Sequence, residues 1–298
     1  MDNLPSTIWS ESTIYLPDSL ALVYRRMLEQ RRLYDDALDD IRMGKGPIGG
    51  ESTEATYDHF TQRFVVSATR LEYITCDPKE AFNTAAHDLH ISFSTGSITT
   101  LDVPCGAGAS ISGFLCTLAE LRRYGTLPNL PLNISIVAGD CSTAALELYR
   151  DLIESIRPEL SKQGIHIDFQ IHEWRAEQPT TSASIVDQWF AMSRMAREYY
   201  VFICNFSGEA RLKFQDFERS FQHIAERLHS KKSTMLWIEP GSMKSAHGFF
   251  SKLFTLFQRI TWFRNAEKDI PQDKYNWFCP IKQKSYSGSV MLRRYRRE

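Results

Sequence analysis

The sequence predicts an α/β fold in which a seven-stranded, mostly parallel sheet carries helices on both faces and ends in an antiparallel strand. Two observations predict the sheet: from Ser97 onward short apolar runs alternate with helical stretches, and the first run ends in a small-residue turn that opens a helix. A third observation concerns the chain before Ser97, where apolar residues recur at helical spacing. We therefore expect a helical N-terminal section, residues 1–96, in front of an α/β domain, residues 97–298.

The helices of the N-terminal section are predicted at residues 16–43, 59–73 and 79–89. The α/β domain is predicted to contain seven strands, at Ile98–Val103, Asn133–Ala138, His166–Ile171, Tyr200–Cys204, Thr234–Ile238, Ile260–Asn265 and Ser289–Tyr295. Its predicted helices are Ala109–Tyr124, Thr143–Ile156, Ser184–Ala196, Phe214–His229 and Ala246–Phe257. Residues 125–131 are predicted to form an extended loop before the second strand.

Composition excludes several classes of protein. The net charge of −1 argues against a protein-wide electrostatic grip on nucleic acid. The longest apolar runs fall far short of the roughly 20 residues that span a bilayer, so no membrane helix is expected. The N-terminus has no signal-peptide pattern, which predicts a cytoplasmic protein. The six cysteines are scattered without a metal-ligand spacing, so we expect reduced thiols and no metal.

The strongest local motif is the turn after the first predicted strand, from Asp102 through Pro104 to Gly108. Gly106 and Gly108 permit a sharp turn and a close approach of ligand to backbone, and the next helix begins with its positive dipole end facing the turn. Two other interpretations remain open, since dinucleotide-binding folds use the same shape and a structural turn needs no ligand.

Acidic residues follow the next two strands. Asp140, before Cys141 and Ser142, is placed to accept hydrogen bonds from a ribose diol, although it also fits a helix N-cap, a role for which Ser142 competes. Glu173 and Trp174 end the third strand, where they fit an adenine amino group and ring face. Glu173 fits a plain surface carboxylate equally well.

Together these motifs resemble the class I S-adenosylmethionine-dependent methyltransferase superfamily over roughly residues 97–295. The resemblance implies a Rossmann-like fold whose last strand is antiparallel and a cofactor that is S-adenosyl-L-methionine, with S-adenosyl-L-homocysteine as product. It also implies that Asp102 lies near the methionine amino group, that Gly106 and Gly108 border methionine and ribose, and that Asp140 and Glu173 meet ribose and adenine. Their neighbours Pro104, Cys141 and Trp174, and Asn205 after the fourth strand, complete the expected cofactor contacts. Pro104 departs from the pattern, because a glycine is common there.

Methyl transfer to RNA, protein or a small molecule is the activity that this resemblance implies. Asn205 and Glu239 follow the fourth and fifth strands and are the candidate catalytic residues, as methionine or acceptor contact and general base. A turn-forming Asn205 and an exposed turn acid at Glu239 are the alternatives. Asn205 does not begin the Asn-Pro-Pro-aromatic motif of amino-directed nucleic-acid methyltransferases.

Leu236–Gly241, the N-terminal helices and the basic last strand are distantly similar to the ribosomal small-subunit methyltransferase-like family, without that family's cysteine cluster. RNA is one candidate partner and would bind through the basic last strand, at Arg293, Arg294, Arg296 and Arg297; the alternative, which the pattern favours, is that this strand is merely solvated. The N-terminal section is the expected lid or acceptor-recognition region. Its aromatic residues either line a pocket or pack in the core, namely Tyr57, Phe60, Phe64 and Tyr73.

Two other functions remain open for the chain. One is a catalytically inactive protein that binds S-adenosylmethionine for regulation or assembly. The other is a nucleotide-dependent dehydrogenase, disfavoured because the first turn lacks a three-glycine fingerprint and because a seventh, antiparallel strand is predicted.

Overall fold

A computed structural model of the chain describes residues 4–39, 50–193, 195–206, 214–241, 252, 255–256 and 270–297. Its helices are α1 (Asp18–Gln30), α2 (Tyr34–Leu38), α3 (Thr53–Cys76), α4 (Asn83–Ser92), α5 (Ala109–Arg123), α6 (Thr143–Lys162), α7 (Pro179–Met192) and α8 (Phe214–Leu228). Its strands are β1 (Trp9–Ser10), β2 (Thr13–Tyr15), β3 (Gly96–Asp102), β4 (Leu132–Asp140), β5 (Ile165–Glu173), β6 (Glu198–Cys204), β7 (Ser233–Glu239), β8 (Gln272–Cys279) and β9 (Lys284–Arg297).

All the described strands form one sheet, in the order β1-β2-β8-β9-β7-β6-β3-β4-β5. Strands β3 to β7 are parallel, and β9 lies antiparallel beside β7. The chain runs from β3 outward through β4 to β5, then returns to β6 on the other side of β3 and continues to β7. The direction of winding therefore reverses between β3 and β6, which is where open α/β sheets bind ligands.

Alternating residues of the parallel strands enter two separate cores. Tyr200 and Phe202 of β6 face the core formed with α1, α3, α5 and α6. Tyr199, Val201 and Ile203 face the opposite core, formed with α7 and α8. This period of two, with both sets buried, explains why the parallel strands read as continuous apolar runs. The α/β fold with helices on both faces and an antiparallel last strand is confirmed.

The sheet is wider than the seven strands predicted, since the described residues contain nine. Strands β1 and β2 lie in the N-terminal section, which was predicted to be helical. They have only two and three residues, too few to show a periodic pattern in the sequence. Strand β8 pairs with β9 and buries alternate residues, Tyr275, Trp277 and Cys279, while Asn276 between them is exposed and Phe278 is half-buried. The strand predicted at Ile260–Asn265 lies outside the described residues, as does most of the helix predicted at Ala246–Phe257.

The predicted helix over residues 16–43 is two helices as far as the chain is described, because Arg32 adopts a left-handed backbone conformation between α1 and α2. The predicted helix at 79–89 begins later, at Asn83, since the carboxylate of Asp77 accepts a hydrogen bond from the Phe82 amide at 2.9 Å and holds a turn there. Helix α3 packs along α5, and one core includes residues from both sides of the predicted boundary at residue 96.

The loop predicted before the second strand is present and is tied down by one buried arginine. The Arg122 guanidinium donates to the Leu130 carbonyl at 2.7 Å and to the Gln163 carbonyl at 2.8 Å. It also reaches the carbonyls of Phe93 and Ser94, after α4. Arg122 thus joins the loops that precede β3, β4 and β5, which lie at the amino ends of these parallel strands. No described helix is long and apolar enough to cross a membrane.

The basic last strand is bound to the rest of the protein. Arg294 and Arg296 both form ion pairs with Asp88 of α4, and all three side chains are at least four-fifths buried. Arg293 is buried, with its guanidinium over the ring of Tyr295 at 5.6 Å. These contacts hold β9 against the helices. An RNA contact through this strand stays a prediction.

Candidate active site

A cleft opens at the carboxyl ends of β3 and β6, where the winding of the sheet reverses. The residues that line this cleft fall within five segments, 50–67, 102–110, 140–145, 174–177 and 204–206. The cleft holds about 1090 Å³ of empty space, its solvent-open mouth included. Of the residues predicted for a site, it brings together Asp102, Pro104, Gly106, Asp140, Cys141, Trp174 and Asn205.

The two glycines of the β3–α5 turn differ in their surroundings. Both have positive φ, +50° at Gly106 and +79° at Gly108. A Cβ atom at Gly106 would meet no atom within 4 Å, because that position faces the cleft. A Cβ atom at Gly108 would lie 3.0 Å from the ring of Tyr149 on α6. Gly106 therefore keeps ligand space open, whereas Gly108 permits helix packing and does not line the cleft.

This difference predicts separable effects of substitution. We expect Gly106→Val to remain folded and to lose ligand binding, since the side chain would enter the cleft. Both substitutions incur strain of about 1–2 kcal/mol from the left-handed conformation, and Gly108→Val should lower the melting temperature further because its side chain also clashes with Tyr149. Thermal unfolding of both variants distinguishes the roles, and a stable Gly108→Val protein would contradict this account.

Asp140 is fixed at the end of β4 by backbone amides. The Gly106 amide donates to its Oδ2 atom at 2.9 Å, and the Ser142 amide donates to Oδ1 at 2.9 Å. Burial raises the pKa of Asp140, and these bonds oppose that rise. The N-cap of α6 is Ser142, whose Oγ accepts from the Ala145 amide at 3.2 Å. Asp140 is thus not the cap, and its carboxylate also accepts hydrogen bonds from the amide and the thiol of Cys141.

Asp102 presents an unused carboxyl oxygen at the end of β3. The side chain is buried, and its Oδ2 atom has no hydrogen-bond partner among the described residues. Burial raises the pKa of Asp102 to about 8; the hydroxyl of Tyr149 lowers it, and the nearby charge of Asp140 adds to the rise. A buried acceptor without a partner is costly. A cationic ligand group that pairs with Asp102 would remove that cost.

The end of β5 contributes an aromatic ring but not the predicted acid. Trp174 is buried and lines the cleft, with its Nε1–H donating to the Ser182 hydroxyl at 2.8 Å. Glu173 is exposed, accepts from Arg175 Nε at 2.9 Å, and does not line the cleft. The acid that reaches the cleft from this segment is Glu177, four residues later. Strand alternation explains the difference, because adjacent residues point in opposite directions.

The two candidate catalytic residues occupy different places. Asn205 lines the cleft in a left-handed conformation, and its Oδ1 accepts from the guanidinium of Arg70 on α3. Glu239 is fully buried and does not line the cleft. Its Oε1 accepts from the Phe206 amide at 2.9 Å and from Trp237 Nε1 at 2.7 Å. This arrangement suits Glu239 to fixing the turn that carries Asn205 and Phe206.

Three thiols, those of Cys105, Cys141 and Cys204, line the cleft. Burial raises the pKa of Cys105 and of Cys204, so both stay protonated at neutral pH. A protonated, buried thiol is a poor nucleophile and a poor metal ligand. Among the described residues, no group of three or more His, Cys, Asp or Glu side chains is arranged to hold a metal ion.

Helix α3 forms the remaining wall of the cleft. Thr56, His59, Phe60, Phe64 and Ser67 line it, on one face of the helix. Phe60 and Phe64 also pack against Tyr24. They therefore both line the pocket and pack in the core, the two roles that were predicted as alternatives. His59 was not among the site residues predicted from the sequence. The spacing of three or four residues was the available signal, since it places His59 on the same face as Phe60 and Phe64.

Comparisons with known proteins give limited information. No protein family model matches the sequence, and no curated protein matches it significantly. The sheet, with β9 antiparallel beside β7, is the Rossmann-like arrangement that the resemblance to class I methyltransferases predicts.

Several solved structures are similar in fold, and three of them are described here. The rRNA methyltransferase aviRa from Streptomyces viridochromogenes has a TM-score of 0.34 and 13% identity, over 87% of this chain and 92% of its own. The precorrin-6y C5,15-methyltransferase from Geobacter metallireducens has a TM-score of 0.35 and 8% identity, over 72% and 89%. A structure from work on thioacetal formation during echinomycin biosynthesis has a TM-score of 0.36 and 12% identity, over 71% and 80%. With TM-scores this low, we base the function on the residues of the cleft.

Proposed function

We propose that the protein is a methyltransferase that binds S-adenosyl-L-methionine in the cleft and transfers its methyl group to an acceptor. One observation carries the proposal. Two buried carboxyl groups, Asp102 and Asp140, stand at adjacent strand ends beside a glycine turn, at the point where the sheet reverses its winding. A nucleoside that also carries a cationic amino acid group matches this donor and acceptor set.

Each residue has a defined task in the proposed complex. Asp102 pairs with the amino group of the methionine portion through Oδ2, the oxygen that has no partner in the part of the chain that the structure describes. Asp140 accepts the ribose hydroxyls, and its orientation toward them is already set by the amides of Gly106 and Ser142. The open space at Gly106 admits the ligand close to the backbone.

The remaining lining suits the rest of such a ligand. Trp174, Cys141 and Ala145 lie on the side of Asp140 and β5, where an adenine would fit. Cys204 and Asn205 lie at the end of β6, next to Asp102 across the sheet. When bound, S-adenosylmethionine supplies a methyl group already activated by a sulfonium centre, so the protein has to position the acceptor and exclude water.

Calorimetry with the purified protein tests the choice of ligand. We expect S-adenosylmethionine and S-adenosylhomocysteine to bind, and NAD, which offers a ribose and adenine but no amino acid group, not to bind. Asp140→Ala should weaken binding by about 1.5–3 kcal/mol, the usual contribution of a hydrogen bond to a charged group. Glu173→Ala is the matched control, because that exposed acid does not line the cleft. A preference for NAD would contradict the proposal.

A further inference from the structure

Three hydrogen bonds hold helix α3 across the cleft. Near its start, the Thr56 hydroxyl lies 2.7 Å from that of Ser142, in the turn between β4 and α6. Midway, the Ser110 hydroxyl at the start of α5 donates to the Ser67 carbonyl at 3.3 Å. Further along, Arg70 donates to Asn205 after β6. The helix therefore bridges the ends of β4, β3 and β6, and side chains on this face are held at fixed places over the strand ends.

His59 lies on that face, one turn after Thr56, and lines the cleft. Burial, followed by the positive charges of Arg63 and Arg70, lowers the pKa of His59 to about 4. The imidazole is therefore neutral at physiological pH and keeps a nitrogen lone pair. The other titratable groups that line the cleft come from the strand ends and their turns, namely Asp102, Cys105, Asp140, Cys141, Glu177 and Cys204.

The surroundings of His59 narrow the class of acceptor. Two aromatic rings of α3, Phe60 and Phe64, and that of Phe206 from the opposite wall line the same cleft. Rings of this kind favour a planar, apolar body. The neutral imidazole of His59 has a ring nitrogen that accepts a hydrogen bond, and a hydroxyl group is a donor that fits it.

We propose that His59 is the catalytic base for methyl transfer to a hydroxyl group on a planar, apolar small molecule, a proposal that rests on the function proposed above. The hydroxyl oxygen forms a bond to the methyl carbon while the carbon–sulfur bond breaks and its electron pair stays on sulfur. The hydroxyl proton passes to the free ring nitrogen of His59, and then to solvent. An oxygen that is gaining a methyl group becomes a very strong acid, so even a weakly basic imidazole accepts its proton.

The first test is nuclear magnetic resonance of protein with ¹⁵N-labelled histidine, saturated with S-adenosylhomocysteine. The signal of His59 is the one that disappears in His59→Asn. We expect its unprotonated ring nitrogen to shift when para-cresol, whose hydroxyl stays protonated at neutral pH, is added. It should not shift when para-methylanisole is added, because the anisole has a similar shape without a hydroxyl proton. A nitrogen that responds to neither compound, or equally to both, overturns the proposal.

The second test measures methylation of para-cresol, para-toluidine and para-toluate, a phenol, an aniline and a benzoate of similar shape, with labelled S-adenosylmethionine. We expect the phenol alone to be methylated, and both His59→Asn and His59→Gln to slow the reaction at least about 100-fold. Affinity for S-adenosylhomocysteine should change less than about twofold. His87→Asn, on the exposed face of α4, is the matched control and should not change the rate.

The outcomes separate the two proposals. Failure of S-adenosylhomocysteine to bind wild-type protein refutes the methyltransferase function and the role of His59 with it. If S-adenosylhomocysteine binds, three results refute only the role of His59. These are methylation of the aniline or the benzoate, no methylation of the phenol, and folded His59 variants that methylate at an undiminished rate.

Discussion

Asp102→Asn is expected to lose affinity for S-adenosylmethionine by about 10- to 100-fold while making the ligand-free protein more stable. The loss follows because an amide cannot form the charge-assisted bond to the methionine amino group, which contributes about 1.5–3 kcal/mol. The gain in stability appears at alkaline pH, because burial penalises the ionised carboxylate, a form that an amide does not have. Calorimetry measures the first effect, and thermal unfolding measures the second.

The gain in stability should depend on pH in a defined direction. The pKa of Asp102 is raised to about 8 in the folded protein, above the value near 4 of an unfolded chain. Between these pH values the folded wild type holds a proton that the unfolded chain has lost. The contribution of this proton to the free energy of unfolding of the wild type is complete below about pH 4 and is lost as the pH rises through about 8. The melting temperature of Asp102→Asn should exceed that of wild type most clearly at pH 9. An equal difference at pH 5 and pH 9 would contradict the assignment.

Asp88→Asn is expected to destabilise the protein by about 2–4 kcal/mol, which corresponds to roughly 5–10 °C in melting temperature. Asp88 is the shared partner of Arg294 and Arg296, and its removal leaves two largely buried guanidinium groups on β9 without that counter-charge. Because β9 pairs with both β7 and β8, the loss should affect the whole edge of the sheet.

An exposed ion pair provides the control for Asp88. Asp187 accepts from Arg227, and more than half of each side chain is exposed, so Asp187→Asn should leave the melting temperature unchanged. Equal effects of the two substitutions would mean that the Asp88 pairs contribute nothing beyond an ordinary surface contact.

The parallel part of the fold was predictable because its strands are buried on both faces. Strands β3, β4, β6 and β7 appear in the sequence as apolar runs, and the helices between them as amphipathic stretches. Strand β8 was missed because only alternate residues are buried, and polar residues such as Asn276 separate them. Strands β1 and β2 are defined by their partners in the sheet, which a sequence pattern does not contain.

The site was predictable where it depends on strand ends. Asp102 and Asp140 both stand at the last residue of a strand, and parallel neighbours place such residues together. Tertiary contacts decided the rest. The neighbour of Gly108 is Tyr149, some forty residues later in the chain, and His59 reaches the cleft only because α3 crosses the strand ends.

Binding of S-adenosylhomocysteine and of methylthioadenosine, which keeps the nucleoside but lacks the amino acid group, tests the central claim most directly. Calorimetry should be performed with wild type, Asp102→Asn and Asp140→Ala. We predict that Asp140→Ala weakens both ligands, whereas Asp102→Asn weakens S-adenosylhomocysteine by about 10- to 100-fold and leaves methylthioadenosine unchanged. Equal losses for both ligands in Asp102→Asn, or no loss in either variant, would contradict the assignment of the cleft to S-adenosylmethionine.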